Sequence, residues 1–217
     1  MPVSSAQMHA YYAERAPYYD AVYERPERQE DIRIVRELLR STFAGRSVLE
    51  VACGTGYWTR YIAETAAAIT ATDGTPEPLA IARTRPGTER VKFYLSDAYT
   101  LEDSLGQHNA AFAGLWLSHV PVQERPRFFT SLHSRLLPGS LVVLIDNNEV
   151  QLQDFPIAET DSNGNTFQLR TLRDGTAHRV LKNFPTEEEL QKQVAAVAQQ
   201  VTFTLLQNFW LLEYKLR

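Results

Sequence analysis

The stretch Val48-Leu49-Glu50-Val51-Ala52-Cys53-Gly54-Thr55-Gly56-Tyr57-Trp58 decides the fold class of this 217-residue chain. Its first half is a short run rich in apolar and β-branched residues, which predicts a buried strand. Its second half is a turn of small residues that opens a helix, and ligands in open α/β sheets bind at such strand ends. Gly54 and Gly56 allow backbone to approach a ligand without a Cβ in the way. The stretch therefore predicts a strand, a ligand-binding turn and a helix.

Strands and helices alternate on both sides of this stretch. The apolar spacing predicts helices at 27–43, 57–67, 76–83, 127–137 and 186–199, and strands at 69–73, 91–95, 110–117 and 141–145. Thr186 and Glu189 have the spacing of a capping box at the start of the last helix. Strands that alternate with helices indicate βαβ units and a mainly parallel sheet, so the expected class is α/β.

The C-terminal part of the chain breaks this alternation. Asp174-Gly175 joins two alternating runs, 167–173 and 176–182, and this pattern predicts a β-hairpin. Two further runs, 201–206 and 209–216, are separated by two residues only. That distance is too short for a parallel crossover, so the last two strands are expected to be antiparallel.

Composition and charge exclude several classes of protein. The chain is 44% hydrophobic and 22% charged, which is typical of a globular domain. Its net charge of −4, without a basic run, argues against electrostatic binding of nucleic acid or membranes. No apolar stretch approaches the roughly 20 residues that a membrane span needs. Cys53 is the single cysteine, so no internal disulfide forms, and without a secretory signal the expected location is the cytoplasm.

Acidic residues mark the ends of the predicted strands. Asp73 ends the second strand, where a carboxylate can accept hydrogen bonds from ribose hydroxyls. Asp97 follows the third strand, where its carboxylate can hold an adenine amino group. Glu50 in the first strand would repel a pyrophosphate, but it suits a cofactor that carries an ammonium group. Thr59 stands where a dinucleotide fingerprint needs its third glycine, which disfavours a nicotinamide cofactor.

Taken together, these segments resemble the class I S-adenosylmethionine-dependent methyltransferases of the small-molecule type. Five segments correspond to family motifs in the family's order, namely 48–56, 71–76, 95–98, 117–121 and 136–142. Ala52 and Ser140 stand where the family often has glycine. The resemblance implies a Rossmann-like three-layer sandwich with a seven-stranded, mostly parallel sheet. Its strand order would be 3-2-1-4-5-7-6, with strand 7 antiparallel and a β-hairpin inserted before the last helix.

The resemblance also implies an organisation and a cofactor. Residues 1–217 would form a single domain, with an N-terminal helical cap at 1–45 and an insert at 150–183 that shapes the substrate pocket. The cofactor would be S-adenosylmethionine, with S-adenosylhomocysteine as product. The family pattern assigns its binding to Tyr19, Glu50, Ala52, Cys53, Gly54, Gly56, Trp58, Asp73, Gly74, Ser96, Asp97, Ala98 and Leu117. Cys53 is expected to serve as a small residue of the turn rather than as a thiol nucleophile.

The predicted reaction is methyl transfer to an oxygen or nitrogen of a small molecule by in-line displacement. His119 follows strand four, and with an ordinary pKa of about 6.5 it is the candidate general base. A histidine that only packs is the alternative. The candidate substrate residues are Tyr11, Tyr12, His119 and Arg170. The tyrosines would cover the substrate, and Arg170 would bind a carboxylate or phosphate of the substrate. Ordinary packing of the tyrosines and a solvated basic face for the arginine are the alternatives.

Other functions stay open at this point. Asp146-Asn147 resembles the magnesium ligands of metal-dependent O-methyltransferases, but Ser118-His119 supplies no third carboxylate, so no metal is expected. A protein- or other macromolecule-directed methyltransferase and a non-catalytic S-adenosylmethionine-binding protein are alternatives, and a nicotinamide oxidoreductase is a weaker one. The expected partners are a small-molecule substrate and no nucleic acid or membrane, in a monomer or homodimer.

Overall fold

A computed structural model describes residues 5–217, with side chains from residue 8 onward. The strands of this part are β1 (Ser47–Val51), β2 (Ala68–Asp73), β3 (Lys92–Leu95), β4 (His108–Gly114), β5 (Leu136–Asn147), β6 (Glu159–Thr160), β7 (Thr166–Thr171), β8 (Ala177–Leu181), β9 (Ala198–Leu205) and β10 (Phe209–Leu216). Seven of them form one sheet in the order β3-β2-β1-β4-β5-β10-β9. Strand β10 is antiparallel to both of its neighbours, and the other pairs are parallel. The predicted sheet order and fold class are confirmed.

Helices cover both faces of this sheet. The α-helices of the described residues are α1 (Ser5–Arg15), α2 (Gln29–Phe43), α3 (Thr59–Ala63), α4 (Pro76–Thr84), α5 (Arg125–Ser134) and α6 (Glu187–Val194). Neighbouring strand residues point to opposite faces, so Val48 joins one hydrophobic core with α2 while Leu49 joins a second core with α5. The result is a three-layer sandwich. Within residues 5–217, none of the helices combines the length and apolar character that crossing a bilayer requires.

Several element boundaries differ from the sequence prediction. Helix α5 ends at Ser134, and Leu136 and Leu137 belong to β5 instead of the apolar face of a longer helix. Strand β5 tolerates Pro138-Gly139 because its register against β4 shifts there. Helix α3 covers only part of the predicted 57–67, and α6 stops before β9 begins. The capping box of α6 is confirmed, with Thr186 and Glu189 hydrogen-bonding to each other's backbone.

Two segments outside the central sheet cover its carboxyl end. We call α1 and the following 3-10 helix (Ala16–Tyr23) the cap segment. The insert at 150–183 contains β6, β7 and β8, which form a small antiparallel sheet. The cap segment contacts α4 on one side and β8 on the other. It therefore lies between the cofactor-binding half predicted from the sequence and the insert.

Candidate active site

Two cavities lie beneath the cap segment at the carboxyl ends of the parallel strands. The large cavity has a volume of about 620 Å³ and is lined by the turn after β1 and the ends of β2 and β3. The small cavity has a volume of about 220 Å³ and is lined by the cap segment and the insert. Four residues line both cavities and form the boundary between them, namely Tyr12, Tyr19, Leu115 and His119.

The turn after β1 adopts backbone conformations that explain its small residues. Gly54 has a φ of +56°, in the left-handed region that favours glycine. Ala52 also has a φ of +56°, which accounts for the glycine often found at this position of the motif. Gly56, predicted to face the cofactor, lies outside the large cavity: a Cβ there would lie 3.1 Å from the Cβ of Ala82. Its role is close packing of the turn against α4.

Asp73 fixes this turn against the end of β2. Its Oδ2 accepts a hydrogen bond from the backbone N–H of Gly54 at 2.8 Å, and its Oδ1 accepts one from Thr75 at 2.8 Å. Burial raises the pKa of Asp73 despite these two bonds. The carboxylate therefore lines the large cavity while it holds the turn in place.

Glu50 and Cys53 lie in a buried part of the same wall. Burial raises the pKa of Glu50 to about 8, so its carboxylate lacks a compensating cation. Burial also raises the pKa of the Cys53 thiol well above its ordinary value, which keeps the sulfur protonated and unreactive. Asp97 is exposed at the mouth of the large cavity, where its Oδ1 accepts the backbone N–H of Tyr99 at 2.9 Å. This wall carries acidic groups suited to a ligand with a cationic end.

The large cavity brings most of the predicted cofactor residues together. It is lined by Tyr19, Glu50, Ala52, Cys53, Gly54, Trp58, Asp73, Gly74, Ser96, Asp97 and Ala98. Leu117, also predicted to bind the cofactor, lies instead in the hydrophobic core, because β4 ends at Gly114 and a 3-10 helix (Leu117–His119) follows. Sequence reasoning missed His9 and Tyr99 on this wall. The position of Tyr99 directly after Ser96-Asp97-Ala98 is a signal that could have found it.

The small cavity is lined by basic and tyrosyl side chains. The charged residues on its wall are Arg15, Arg25, Arg28, Arg170 and Lys182, and the tyrosines are Tyr11, Tyr12, Tyr18 and Tyr19. Two of the cations have acidic partners, Asp154 for Arg25 and Asp146 for Lys182. Of the predicted substrate residues, the small cavity thus contains Tyr11, Tyr12, His119 and Arg170. Sequence reasoning missed Arg15 and Arg28, because no local spacing assigns either of them to a ligand.

Three guanidinium groups of the small cavity have no carboxylate partner among the described residues. Arg15 donates to the hydroxyl of Tyr11 at 3.0 Å, and Arg170 donates to the neutral amide oxygen of Gln168 at 2.7 Å. Arg28 is 3% exposed, and its Nε and Nη1 have no hydrogen-bond partner in the part of the chain described. Burial lowers the pKa of Arg28, with the charge of Arg25 as a further cause. The wall therefore carries uncompensated positive charge.

A buried ion pair supports the floor of the small cavity. Lys182 Nζ lies 2.8 Å from Asp146 Oδ1 and donates to Ser118 Oγ at 2.6 Å. Burial lowers the pKa of Lys182 to about 8. Burial opposes the ionisation of Asp146, but the charge of Lys182, together with the hydrogen bonds from Lys182 and the Ser118 backbone, lowers the pKa of Asp146. The carboxylate of Asp146, weighed above as a metal ligand, thus pairs with a lysine from the insert. Residues 5–217 contain no group of three or more His, Cys, Asp or Glu arranged as metal ligands.

His119 connects the boundary to the insert. Its Nδ1 lies 2.6 Å from the backbone oxygen of Leu181, which can only accept, so Nδ1 carries the proton. Burial lowers the pKa of His119 well below its ordinary value, and the charge of Lys182 adds to this effect. The ring is therefore neutral, and its Nε2 accepts the hydroxyl proton of Tyr12 at 2.7 Å. The lone pair that a general base would use is engaged by a tyrosine.

Comparisons with known proteins agree with this geometry. Residues 48–139 match a family model described as a methyltransferase domain. The structure of a DhpI-SAM-HEP complex is 31% identical, with a TM-score of 0.81, and the match covers 98% of this chain and 99% of that chain. A DhpI-SAH complex is 29% identical, with a TM-score of 0.80 and coverage of 97% and 96%.

A more distant structure shares the fold alone. It is the N-methyltransferase NodS from Bradyrhizobium japonicum WM9 in complex with S-adenosylhomocysteine. It is 14% identical, with a TM-score of 0.66, and the match covers 97% of each chain. No curated protein matches the sequence. The similarity to DhpI therefore carries more information on the site than the similarity to NodS.

Proposed function

The chain belongs to the class I S-adenosylmethionine-dependent methyltransferases, and we propose that it methylates an oxygen of a small acidic molecule. Its cofactor is S-adenosylmethionine, which supplies a methyl group on a sulfonium sulfur for in-line displacement. The proposal narrows the acceptor from the oxygen or nitrogen expected from the sequence to an acid oxygen. The observation that carries it is a group of three guanidinium groups on the wall of the small cavity, Arg15, Arg28 and Arg170, that have no carboxylate partner among the described residues.

The residues of the large cavity fit the cofactor. Glu50, whose buried carboxylate lacks a cation, would hold the ammonium group of the methionine part. Asp73 would accept hydrogen bonds from the ribose, and Asp97 would hold the adenine amino group. The left-handed backbone at Gly54 favours glycine, so no side chain occupies the space next to the turn.

The charges of the small cavity favour an anion as its ligand. A buried charged group without a counter-charge is costly, and a bound oxyanion would supply that counter-charge to Arg28, Arg15 and Arg170. At an effective dielectric constant of 20, one such charge pair at 4 Å gains about 4 kcal/mol of Coulomb energy. The cavity of about 220 Å³ is smaller than the roughly 300–1,000 Å³ of typical drug-sized sites. A compact acid group, such as a phosphate, phosphonate or carboxylate, would satisfy both properties.

The proposal implies a mechanism in which the side chains of the boundary take part. The arginines would orient the acid so that one ionised oxygen faces the large cavity past Tyr12 and Tyr19. An ionised oxygen already has its nucleophilic lone pair and needs no base. His119 would then hold the phenol of Tyr12, its present hydrogen-bond partner, rather than remove a proton. The role of His119 as a general base would apply only to an acceptor that carries a proton.

A substrate panel with a matched pair of variants tests the proposal. S-adenosylhomocysteine release is measured with small phosphates, phosphonates and carboxylates, and with amines and phenols that carry no acid group. Acids should be turned over, and Arg28→Met should raise their KM about 100-fold because it removes charge-assisted hydrogen bonds. Arg33→Met is the control, since Arg33 is exposed and paired with Glu30. Preferred methylation of uncharged amines, unaffected by Arg28→Met, would contradict the proposal.

The proposal retains other expectations from the sequence. They are a single domain with a cap and a substrate-shaping insert, a cytoplasmic location, and a monomer or homodimer without nucleic-acid or membrane partners. Methylated products identified by mass spectrometry would distinguish a small acid from a protein acceptor. Binding of S-adenosylhomocysteine without turnover of any acid would favour the non-catalytic alternative.

A further inference from the structure

Asp20 joins the cap segment to the turn that follows β1. Its Oδ1 accepts a hydrogen bond from Thr55 Oγ1 at 2.6 Å, and its Oδ2 accepts one from Arg85 Nη2. Arg85 Nε also donates to the backbone oxygen of Thr55 at 2.6 Å. The three residues form a closed ring of hydrogen bonds, which we call the Asp20 latch. It connects the cap segment, the turn and the end of α4.

One end of this latch lies in the wall of the large cavity. Thr55 is 3% exposed and lies between Gly54 and Gly56 in the turn. The side chains of Asp20 and Arg85 are only 31% and 12% exposed, so their ion pair is partly protected from water. A ligand that fixes the turn therefore also fixes the partner of Asp20.

The cap segment also forms part of the wall of the small cavity. Arg15 and Tyr12 precede Asp20 in the same segment, and Tyr19 is its neighbour in sequence; all three line the small cavity. The guanidinium of Arg173 from the insert lies 4.4 Å from the ring centroid of Tyr18. The cap segment thus runs from the cofactor turn to the insert, and it carries part of the acceptor site with it.

A second attachment keeps the cap segment folded without the latch. The ring of Tyr23 stacks on that of Tyr57, with a centroid distance of 3.7 Å and an angle of 10°. Tyr23 is 5% exposed and belongs to the main hydrophobic core. Loss of the latch should therefore loosen the position of Arg15 and Tyr12 without unfolding the protein.

We propose that Asp20 is a positioning residue that couples the cofactor site to the acceptor site. With the latch closed, a cofactor that orders the turn also orders the cap segment, so the acid then binds to a preformed set of cations. Coupling between two sites is reciprocal, so the acid strengthens cofactor binding by the same factor. This inference rests on the proposed function, because it takes the small cavity as an anion site.

The coupling is measured by calorimetric titration of inorganic phosphate into the full chain, with and without saturating S-adenosylhomocysteine. Wild-type protein should bind phosphate about tenfold more tightly with S-adenosylhomocysteine, within the range of known coupling factors. Asp20→Asn should bring this factor close to one. Thr55→Val removes the hydroxyl that donates to Asp20, whereas Asp20→Asn removes the negative charge and one of the two acceptor oxygens. Both changes open the same ring of hydrogen bonds, so they should act in the same direction and not additively. Glu30→Gln is an exposed control that should keep the wild-type factor.

Amide hydrogen exchange of residues 8–23 gives a second readout that needs no acid. S-adenosylhomocysteine should slow this exchange in wild-type protein and leave it nearly unchanged in Asp20→Asn. Phosphate binding that is insensitive to S-adenosylhomocysteine, or coupling that survives Asp20→Asn, overturns the role of Asp20 while the proposed function stands. Absence of phosphate binding in both states, with no acid methylated, contradicts the anion site itself. In that case the hydrogen-exchange experiment still tests whether Asp20 connects the cap segment to the cofactor turn.

Discussion

The large and the small cavity have walls of opposite charge. The large cavity has Glu50, Asp73 and Asp97 on its wall, whereas Arg15, Arg28 and Arg170 line the small one. The two meet at a boundary of aromatic and apolar side chains. In the proposed reaction a cationic methyl donor and an anionic acceptor occupy adjoining sites, and transfer neutralises one charge of each. The difference in wall charge would therefore sort the two reactants before any chemistry occurs.

The largest effect is expected from Asp73→Ala. This change removes the carboxylate that accepts one backbone N–H from the turn after β1 and one from Thr75 after β2, and that we assign to the ribose. S-adenosylhomocysteine should bind about a thousandfold more weakly, since charge-assisted hydrogen bonds contribute about 1.5–3 kcal/mol each. Phosphate affinity in the absence of cofactor should be unchanged, as measured by calorimetry. A parallel loss of phosphate affinity would break the division into two sites. Asp103→Ala, at a fully exposed carboxylate, is the control.

Arg170→Met tests the other side of the comparison. Arg170 is buried against the ring of Phe155, and Met preserves much of its packing while it removes the charge. The KM for an acid acceptor should rise about thirtyfold, because one of three uncompensated cations is lost. The Kd for S-adenosylhomocysteine, measured by calorimetry, should stay within about twofold. If S-adenosylhomocysteine bound more weakly while the KM for the acid stayed unchanged, the assignment of the two cavities would be reversed.

The two cavities also differ in how far the sequence predicts them. The residues of the large cavity follow the ends of β1, β2 and β3, and a parallel sheet brings successive strand ends to one edge. Local motifs therefore sufficed to find Asp73 and Asp97. The small cavity combines Arg15 and Arg28 with Lys182, which is more than 150 residues away along the chain. No local spacing links these residues, and only the packing of the insert on the cap segment brings them together.

Two errors have the same physical origin. Leu117 was assigned to the cofactor because the fourth strand was predicted to reach it, but that strand ends at Gly114. Pro138-Gly139 was expected to separate a helix from a strand, but the two residues lie within β5 at a register shift. In both cases tertiary packing sets the boundary, and local propensity is a weaker influence. The order of elements was predicted correctly because it follows from hydrophobic periodicity.

Glu50→Gln should affect stability and binding in opposite directions. Burial raises the pKa of Glu50 to about 8 in the folded chain. Between the ordinary pKa of a glutamate and pH 8, the group is therefore protonated in the folded chain and ionised in the unfolded chain. Its contribution to stability is therefore lost as pH rises through that window. Relative to Glu50→Gln, the wild-type protein should become less stable from pH 5 to pH 8, as measured by urea unfolding without ligand. At pH 8 the variant should bind S-adenosylhomocysteine about tenfold more weakly, because a charged partner of the ammonium group is lost.

A cation bound next to Glu50 in the large cavity should remove the loss of stability that wild-type protein shows as the pH rises. Saturating S-adenosylhomocysteine supplies an ammonium group, so the difference between wild type and Glu50→Gln should then no longer grow with pH. If the difference grows equally with and without the ligand, Glu50 faces some other group. In that case the acidic wall has been assigned to the wrong part of the cofactor.

The smallest effect is expected at the boundary itself, from Tyr12→Phe. The change removes one hydrogen bond to His119, which is worth about 0.5–1.5 kcal/mol, so kcat should fall about threefold. The Kd for S-adenosylhomocysteine should not change.

For an ionised acceptor the pH–rate profile should show no histidine limb between pH 6 and 8, because the pKa of His119 lies well below its ordinary value. His119→Asn should then also cost about tenfold or less. A loss of three orders of magnitude with a limb near neutral pH would instead identify His119 as a base, and the acceptor as a group that must lose a proton before it attacks.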